Sequence, residues 1–200
     1  MKKILRVDSS IFAQEGMSYQ LANELINKLQ SRYVDSDVVG RNLSESAVPH
    51  LDANWLKALS TSKNERNAEQ QNMVAYSDAL IAEIQNADII VLAAPMYNFS
   101  VPSVMKAWFD HIARAGVTFR YTENGPEGLL KGKKLYLIST RGGMHKGKSS
   151  DTQIPFITTF LNFIGISDID IIYAEGLNMS DLREEGLEQA RKDIEMLTAA

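Results

Sequence analysis

The stretch Asp88-Ile89-Ile90-Val91-Leu92-Ala93-Ala94-Pro95-Met96-Tyr97-Asn98-Phe99 runs apolar without a break to a proline, then presents a thioether, a phenol, an amide and a phenyl ring. Apolar residues without alternation suit a strand covered on both faces, as in a parallel sheet. Pro95 has no N–H and is expected to end the ladder. The residues after it then lie at the carboxyl end of a strand, where open parallel sheets bind their ligands. Met96, Tyr97 and Phe99 offer flat apolar surface, and Asn98 offers an amide. That set suits a broad ring with a hydrogen-bonding edge, such as a flavin. Plain core packing is the competing reading, as is a cap made by Asn98 on the following helix.

Outward from this strand the pattern alternates. Further strands are expected at residues 3–7, 37–39, 135–140 and 169–173, and helices at 18–31, 66–85, 102–113, 151–164 and 181–197. Strands alternating with helices give an α/β doubly wound sheet of five parallel strands with helices on both faces. Two segments interrupt the rhythm: residues 50–60, a short helix with Asp52 as its cap, and residues 117–121, a small alternating strand before a turn at Asn124-Gly125-Pro126. Excursions of this kind serve a binding site or a subunit interface.

Two hundred residues, 44% of them hydrophobic, suffice for a single domain over residues 1–200 with a sizeable core. A net charge of −4 argues against a nucleic-acid partner, and the lysines of residues 131–148 read as a solvated strand rim. The absence of cysteine excludes disulfides, thiolate nucleophiles and cysteine-held metal clusters, so redox chemistry would need an organic cofactor. The start of the chain lacks the apolar core of a signal peptide and no run is long enough to span a membrane, so a cytoplasmic location is expected. Among His50, His111 and His145 no pair has metal-ligand spacing, and no metal site is expected.

Three strand-end loops should converge. After the first strand, Asp8-Ser9-Ser10 opens a loop that closes at Gly16-Met17-Ser18 on a helix N-terminus, where hydroxyls and free amides suit a phosphate. Met96 to Phe99 form the second loop. The third, Thr140-Arg141-Gly142-Gly143-Met144-His145, carries paired glycines that let backbone approach a ring edge. It also contains a G-x-x-x-x-G-K-[ST] match from Gly142 to Ser149. That match comes too late in the chain for a nucleotide triphosphatase, and no later strand ends in a metal-binding aspartate. A dinucleotide fingerprint is missing after the first strand.

Taken together, Ala94-Pro95-Met96-Tyr97-Asn98-Phe99, the run Ala113-Arg114-Ala115-Gly116-Val117-Thr118-Phe119-Arg120-Tyr121-Thr122-Glu123-Asn124-Gly125-Pro126-Glu127-Gly128 and Arg141-Gly142-Gly143 resemble the FMN-dependent NADH-azoreductases. These are flavodoxin-like, homodimeric quinone and azo reductases of bacteria, and the resemblance covers essentially the whole chain. It implies noncovalent FMN, with Ser10, Gly16, Met17 and Ser18 on its phosphate. Met96, Tyr97, Asn98 and Phe99 would hold the ring, and Thr140, Arg141, Gly142 and Gly143 would border its far edge. NADH is the implied donor and a quinone or azo compound the acceptor. The resemblance further implies that Phe99 and Phe163, with Tyr121 from the other subunit, wall the substrate cavity, and His145 is a polar contact nearby. Gly16 and Thr140 stand where such reductases often carry serines, which leaves open how many hydroxyls meet the phosphate. A flavin-binding electron carrier is the alternative activity.

Overall fold

In a computed structural model that describes residues 1–199, five parallel strands, β1 (Lys3–Asp8), β2 (Asp37–Asn42), β3 (Ile89–Pro95), β6 (Lys134–Thr140) and β7 (Asp168–Ala174), form one sheet in the order β2-β1-β3-β6-β7. The expected strands are all present. β3 is central and all seven of its residues are buried. Its side chains nevertheless divide by pleat: Ile90, Leu92 and Ala94 join one core cluster, Ile89, Val91 and Ala93 the other. The first cluster takes in the inner faces of α3 (Ala68–Asn86), α4 (Ser103–Ile112) and α5 (Gln153–Ile164). The second takes in α1 (Met17–Arg32) and α6 (Arg183–Ala199). Helices therefore cover both faces, which is why β3 reads as continuously apolar.

Several boundaries differ from the sequence reading for identifiable reasons. β2 extends to Asn42 because its main chain pairs with β1 residue by residue, although Arg41 and Asn42 are polar. Arg41 is held by Glu83, an ion pair that apolar periodicity does not register. Pro95 lies inside β3, opposite Thr140, and the ladder runs one bond further, with the Met96 N–H donating to the Thr140 carbonyl at 2.9 Å. α3 starts at Ala68 because Asn67 and Gln70 form a reciprocal capping box. Gly125 and Pro126 belong to a strand rather than to the turn: β4 (Phe119–Thr122) pairs antiparallel with β5 (Gly125–Gly128). Pro126 is tolerated there because a two-stranded ribbon leaves edge N–H positions unused. Lys133 is no rim residue, since its ammonium donates to the Gln85 and Ala87 carbonyls at the end of α3.

The strand order reverses between β1 and β3, which places their carboxyl ends side by side, with Asp8 opposite Ala93. The short excursion α2 (Ala53–Ser60) is capped by Asp52, whose carboxylate accepts from the Asn54 and Trp55 N–H groups. It lays Trp55 edge-on against His111, ring centroids 4.4 Å apart. His111 Nε2 lies 2.9 Å from the Pro49 carbonyl, which can only accept, so Nε2 carries the proton and Nδ1 is a buried acceptor without a partner among the described residues.

Burial pushes the His111 imidazolium pKa below the ordinary value of 6.5, outweighing the opposing pull of the Pro49 carbonyl and Asp110. The unfolded chain then binds a proton that the folded chain refuses, so stability declines as pH falls through about 6.5 and levels off below the folded pKa. Urea midpoints measured between about pH 8 and pH 5.5 should fall with acidification in the wild type and flatten in His111→Gln. Equal slopes in the two proteins would exclude His111 as the cause.

Candidate functional site

Loops from three neighbouring strand ends are tied to one another. After β1, the Ser9 hydroxyl donates to the Ala93 carbonyl at 2.8 Å, locking this loop to β3. The Ser10 hydroxyl accepts from the Phe12 N–H and lies 3.4 Å from the Tyr97 hydroxyl, which also accepts from the Ile11 N–H at 3.3 Å. Gly16 caps α1 without a side-chain bond, and a Cβ there would lie 2.2 Å from Ser10 Oγ. Glycine at this point is thus required by Ser10. The Met17 and Ser18 N–H groups open the helix and have no intrahelical acceptor. The Ser18 hydroxyl is buried and has no partner among the described residues, so it caps nothing.

The loop after β3 is a tight hairpin closed by reciprocal Tyr97–Ser100 backbone bonds of 3.0 Å. Its tip places Asn98 at φ 49° and Phe99 at φ 65°, both left-handed. Asparagine tolerates that region; phenylalanine rarely enters it. α4 is preceded by Pro102 without any side-chain cap, so Asn98 is not a helix cap and its amide is exposed. A pocket of about 480 Å³ beside the hairpin is lined by Ile11, Ser44, Tyr97, Asn98 and Val101, among others. Ser44 and Val101 were not legible in the sequence, because each lies in an irregular segment that only the fold brings here.

The loop after β6 meets the hairpin through Phe99 and His145, edge to face at 5.7 Å, and the Thr152 hydroxyl donates to the Phe99 carbonyl. Its carbonyls point away: those of Arg141, Gly142 and Gly143 accept from the Leu177, Asn178 and Gly176 N–H groups at 3.0 to 3.1 Å. The Gly142 and Gly143 N–H groups are left without acceptors among the described residues. Thr140 is buried, paired within the sheet.

Three expectations need correction or refinement, and the rejection of the triphosphate-loop match gains a geometric reason. The Arg141 side chain is 1% exposed and is consumed inside the protein by Ser139, Asp151 and Glu175, so it is not free to touch a ligand. Gly142 lets the exposed Asn178 side chain lie close against the loop: a Cβ would come 2.6 Å from its amide nitrogen, which would have to swing away. Phe163 packs on Phe119 at 4.3 Å and faces a shallow apolar groove with Phe156 and Phe160, while Tyr121 is 75% exposed; neither lines the pocket beside Asn98 within one chain. The triphosphate-loop match is no phosphate cradle: the His145 and Lys146 N–H groups already donate to the Glu175 carboxylate, at 2.6 and 2.8 Å. Among the described residues no group of three or more His, Asp or Glu side chains could hold a metal.

Burial raises the Asp8 carboxyl pKa above its ordinary value, although Arg6 pulls the other way through two bonds to it. The carboxyl is turned into that pair and away from ligand chemistry.

Left-handed backbone at a β-carbon-bearing residue costs roughly 1–2 kcal/mol, and the Phe99 side chain is 55% exposed. Phe99→Gly should therefore melt no lower than the wild type despite losing a large side chain. A melting temperature several degrees lower would show that the ring is structural.

Residues 2–197 match a family described by its flavodoxin-like fold. An FMN-dependent NADH:quinone oxidoreductase of Cellvibrio japonicus is 50% identical over 200 residues, covering all of both chains. One from Paraburkholderia phymatum is 52% identical over 195 residues, 97% of this chain and 98% of the relative. Among solved structures, an FMN-dependent NADH-azoreductase from Bacillus anthracis in complex with FMN superposes with a TM-score of 0.90 at 26% identity, covering 100% of this chain and 98% of that one. The match over nearly the whole chain and the half-identical relatives agree with the strand order and its switch point: the chain belongs to the flavodoxin-like family that includes the FMN-dependent NADH:quinone oxidoreductases.

Proposed function

We propose that the protein is an FMN-dependent oxidoreductase that uses NADH to reduce quinones and aromatic azo compounds. The observation that carries this is the buried Ser18 hydroxyl without a partner at the start of α1, beside unused helix N–H groups and one loop away from a hairpin with an exposed amide. A phosphate would satisfy the hydroxyl and the helix terminus together. Ser10, Gly16, Met17 and Ser18 would hold the FMN phosphate, and Met96, Tyr97, Asn98 and Phe99 the ring. The N–H groups of Gly142 and Gly143 would meet its far edge, with Thr140 and Arg141 serving only as the backbone that places them.

Held there, FMN would supply two-electron redox chemistry between a reduced nicotinamide and an acceptor. Asn98 and the two glycine amides would donate hydrogen bonds to the edge where negative charge gathers, the glycines without rearrangement, since their carbonyls are already held. Phe99 and His145 would form one wall of the acceptor site. Tyr121 and Phe163 would reach it only from a second copy of the chain, and the exposed apolar groove on α5 favours a homodimer. One domain acting in the cytoplasm fits this reading, and no helix among the described residues is long and apolar enough to cross a membrane.

The test is to add NADH anaerobically to the yellow FMN-loaded protein, which should sediment as a dimer, and then a quinone. Rapid bleaching followed by recovery of colour is expected, with parallel double-reciprocal plots in the steady state. Persistent yellow would indicate an electron carrier instead. Ser18→Ala sharpens the phosphate assignment: deleting a buried unpaired hydroxyl should leave the apoprotein as stable or slightly more so, while FMN affinity drops about tenfold. Unchanged FMN affinity would move the phosphate elsewhere.

A further inference from the structure

Arg141 and Glu175 lie at the carboxyl ends of adjacent strands β6 and β7 and are buried together. The guanidinium donates to Ser139 Oγ at 2.9 Å, to Asp151 at 2.7 Å and to Glu175 Oε1 at 3.3 Å. That same Oε1 accepts the backbone N–H groups of His145 at 2.6 Å and Lys146 at 2.8 Å. Glu175 is 8% exposed, and Gly186 of α6 packs so closely on its carbonyl that a Cβ there would lie 2.1 Å away, which fixes its backbone. One carboxylate oxygen, anchored from behind by a cation and a helix, thus gathers the far end of the loop whose near end carries the two free glycine N–H groups.

We propose that Glu175 is a positioning residue for this loop, holding residues 142–146 in the shape that presents the Gly142 and Gly143 amides and the His145 ring to a flavin ring. The inference rests on the FMN reading above: backbone bonds from residues 176–178 hold the loop at residues 141–143, and a side chain outside the site completes its order at His145 and Lys146. A carboxylate accepting two backbone N–H groups makes charge-assisted bonds, stronger than neutral ones, and these need no ligand to form. The loop is therefore preorganised before any ligand arrives. Aspartate, one methylene shorter, keeps a carboxylate near Arg141 but draws it back from the amides. Glutamine loses the charge but keeps an oxygen at the right reach.

The experiment titrates apoprotein with FMN and with riboflavin, which lacks the phosphate. Glu175→Asp should weaken both by about tenfold, because the loss is on the ring side. Glu175→Gln should restore both to within about threefold of wild type, and Ser18→Ala should weaken FMN alone. Wild-type binding of both flavins by Glu175→Asp, or loss of FMN alone, would overturn the proposal. Failure of the wild type to bind either flavin would instead fell the cofactor reading. A measurement on the unaltered protein guards against a variant that does not fold: the His145 and Lys146 amide protons should exchange slowly already in the apoprotein. Fast exchange that slows only with FMN would show that the flavin, and not Glu175, orders the loop.

Discussion

β3 is buried along its whole length, and its pairing with β1 on one side and β6 on the other fixes nearly everything else. Full burial on both faces requires a helix layer on each, so the chain must cross over between strands, and each crossover begins at a strand's carboxyl end. The loops after β1, β3 and β6 are thereby brought to one edge before any of their side chains is considered. The reversal of strand order between β1 and β3 opens the crevice between the first two of them.

Within that crevice the protein stores strain and unmet hydrogen bonds together. Two consecutive left-handed residues, Asn98 and Phe99, form the hairpin tip, although glycine would sit there at less cost. Among the described residues the buried Ser18 hydroxyl has no partner, and in the loop after β6 three carbonyls are held by residues 176–178 while the Gly142 and Gly143 N–H groups meet no acceptor. Such features are expensive in a core and make sense where a ligand completes them. The surrounding scaffold is correspondingly overdetermined. Gln153, at the start of α5, donates to the Ala94 and Pro95 carbonyls and accepts from Ser139, which in turn accepts from Arg141. The roots of the second and third loops are thus joined by side chains buried behind them.

The two excursions from the regular alternation behave differently. α2 lays Trp55 edge-on against His111 and buries Ala58 while leaving Leu56 in solvent, so it covers the margin of the core without joining it. The β4–β5 ribbon is tied down at its base, where Gly128 meets Gly165 of the α5 cap so closely that no Cβ fits between them, and Phe119 packs on Phe163. Its outer end leaves Tyr121 in solvent.

The amino-acid sequence by itself determined the architecture, because the central strands are short apolar runs, the helices between them are amphipathic, and the crossovers follow from their alternation. It also determined which loops converge, since Pro95 and the Gly142 turn mark the ends of β3 and β6, and Gly16 marks the start of the helix that follows β1. What it could not show was the use of each polar side chain. Arg141 reads as a ligand when its neighbours in the chain are glycines, yet its partners Asp151 and Glu175 come from α5's approach and from the next strand. Glu175 looks like an ordinary surface carboxylate until β7 is laid beside β6. Only tertiary structure decides such assignments, because a buried charge is defined by the partners that surround it in space, and those lie 10 and 34 residues away from Arg141 in sequence.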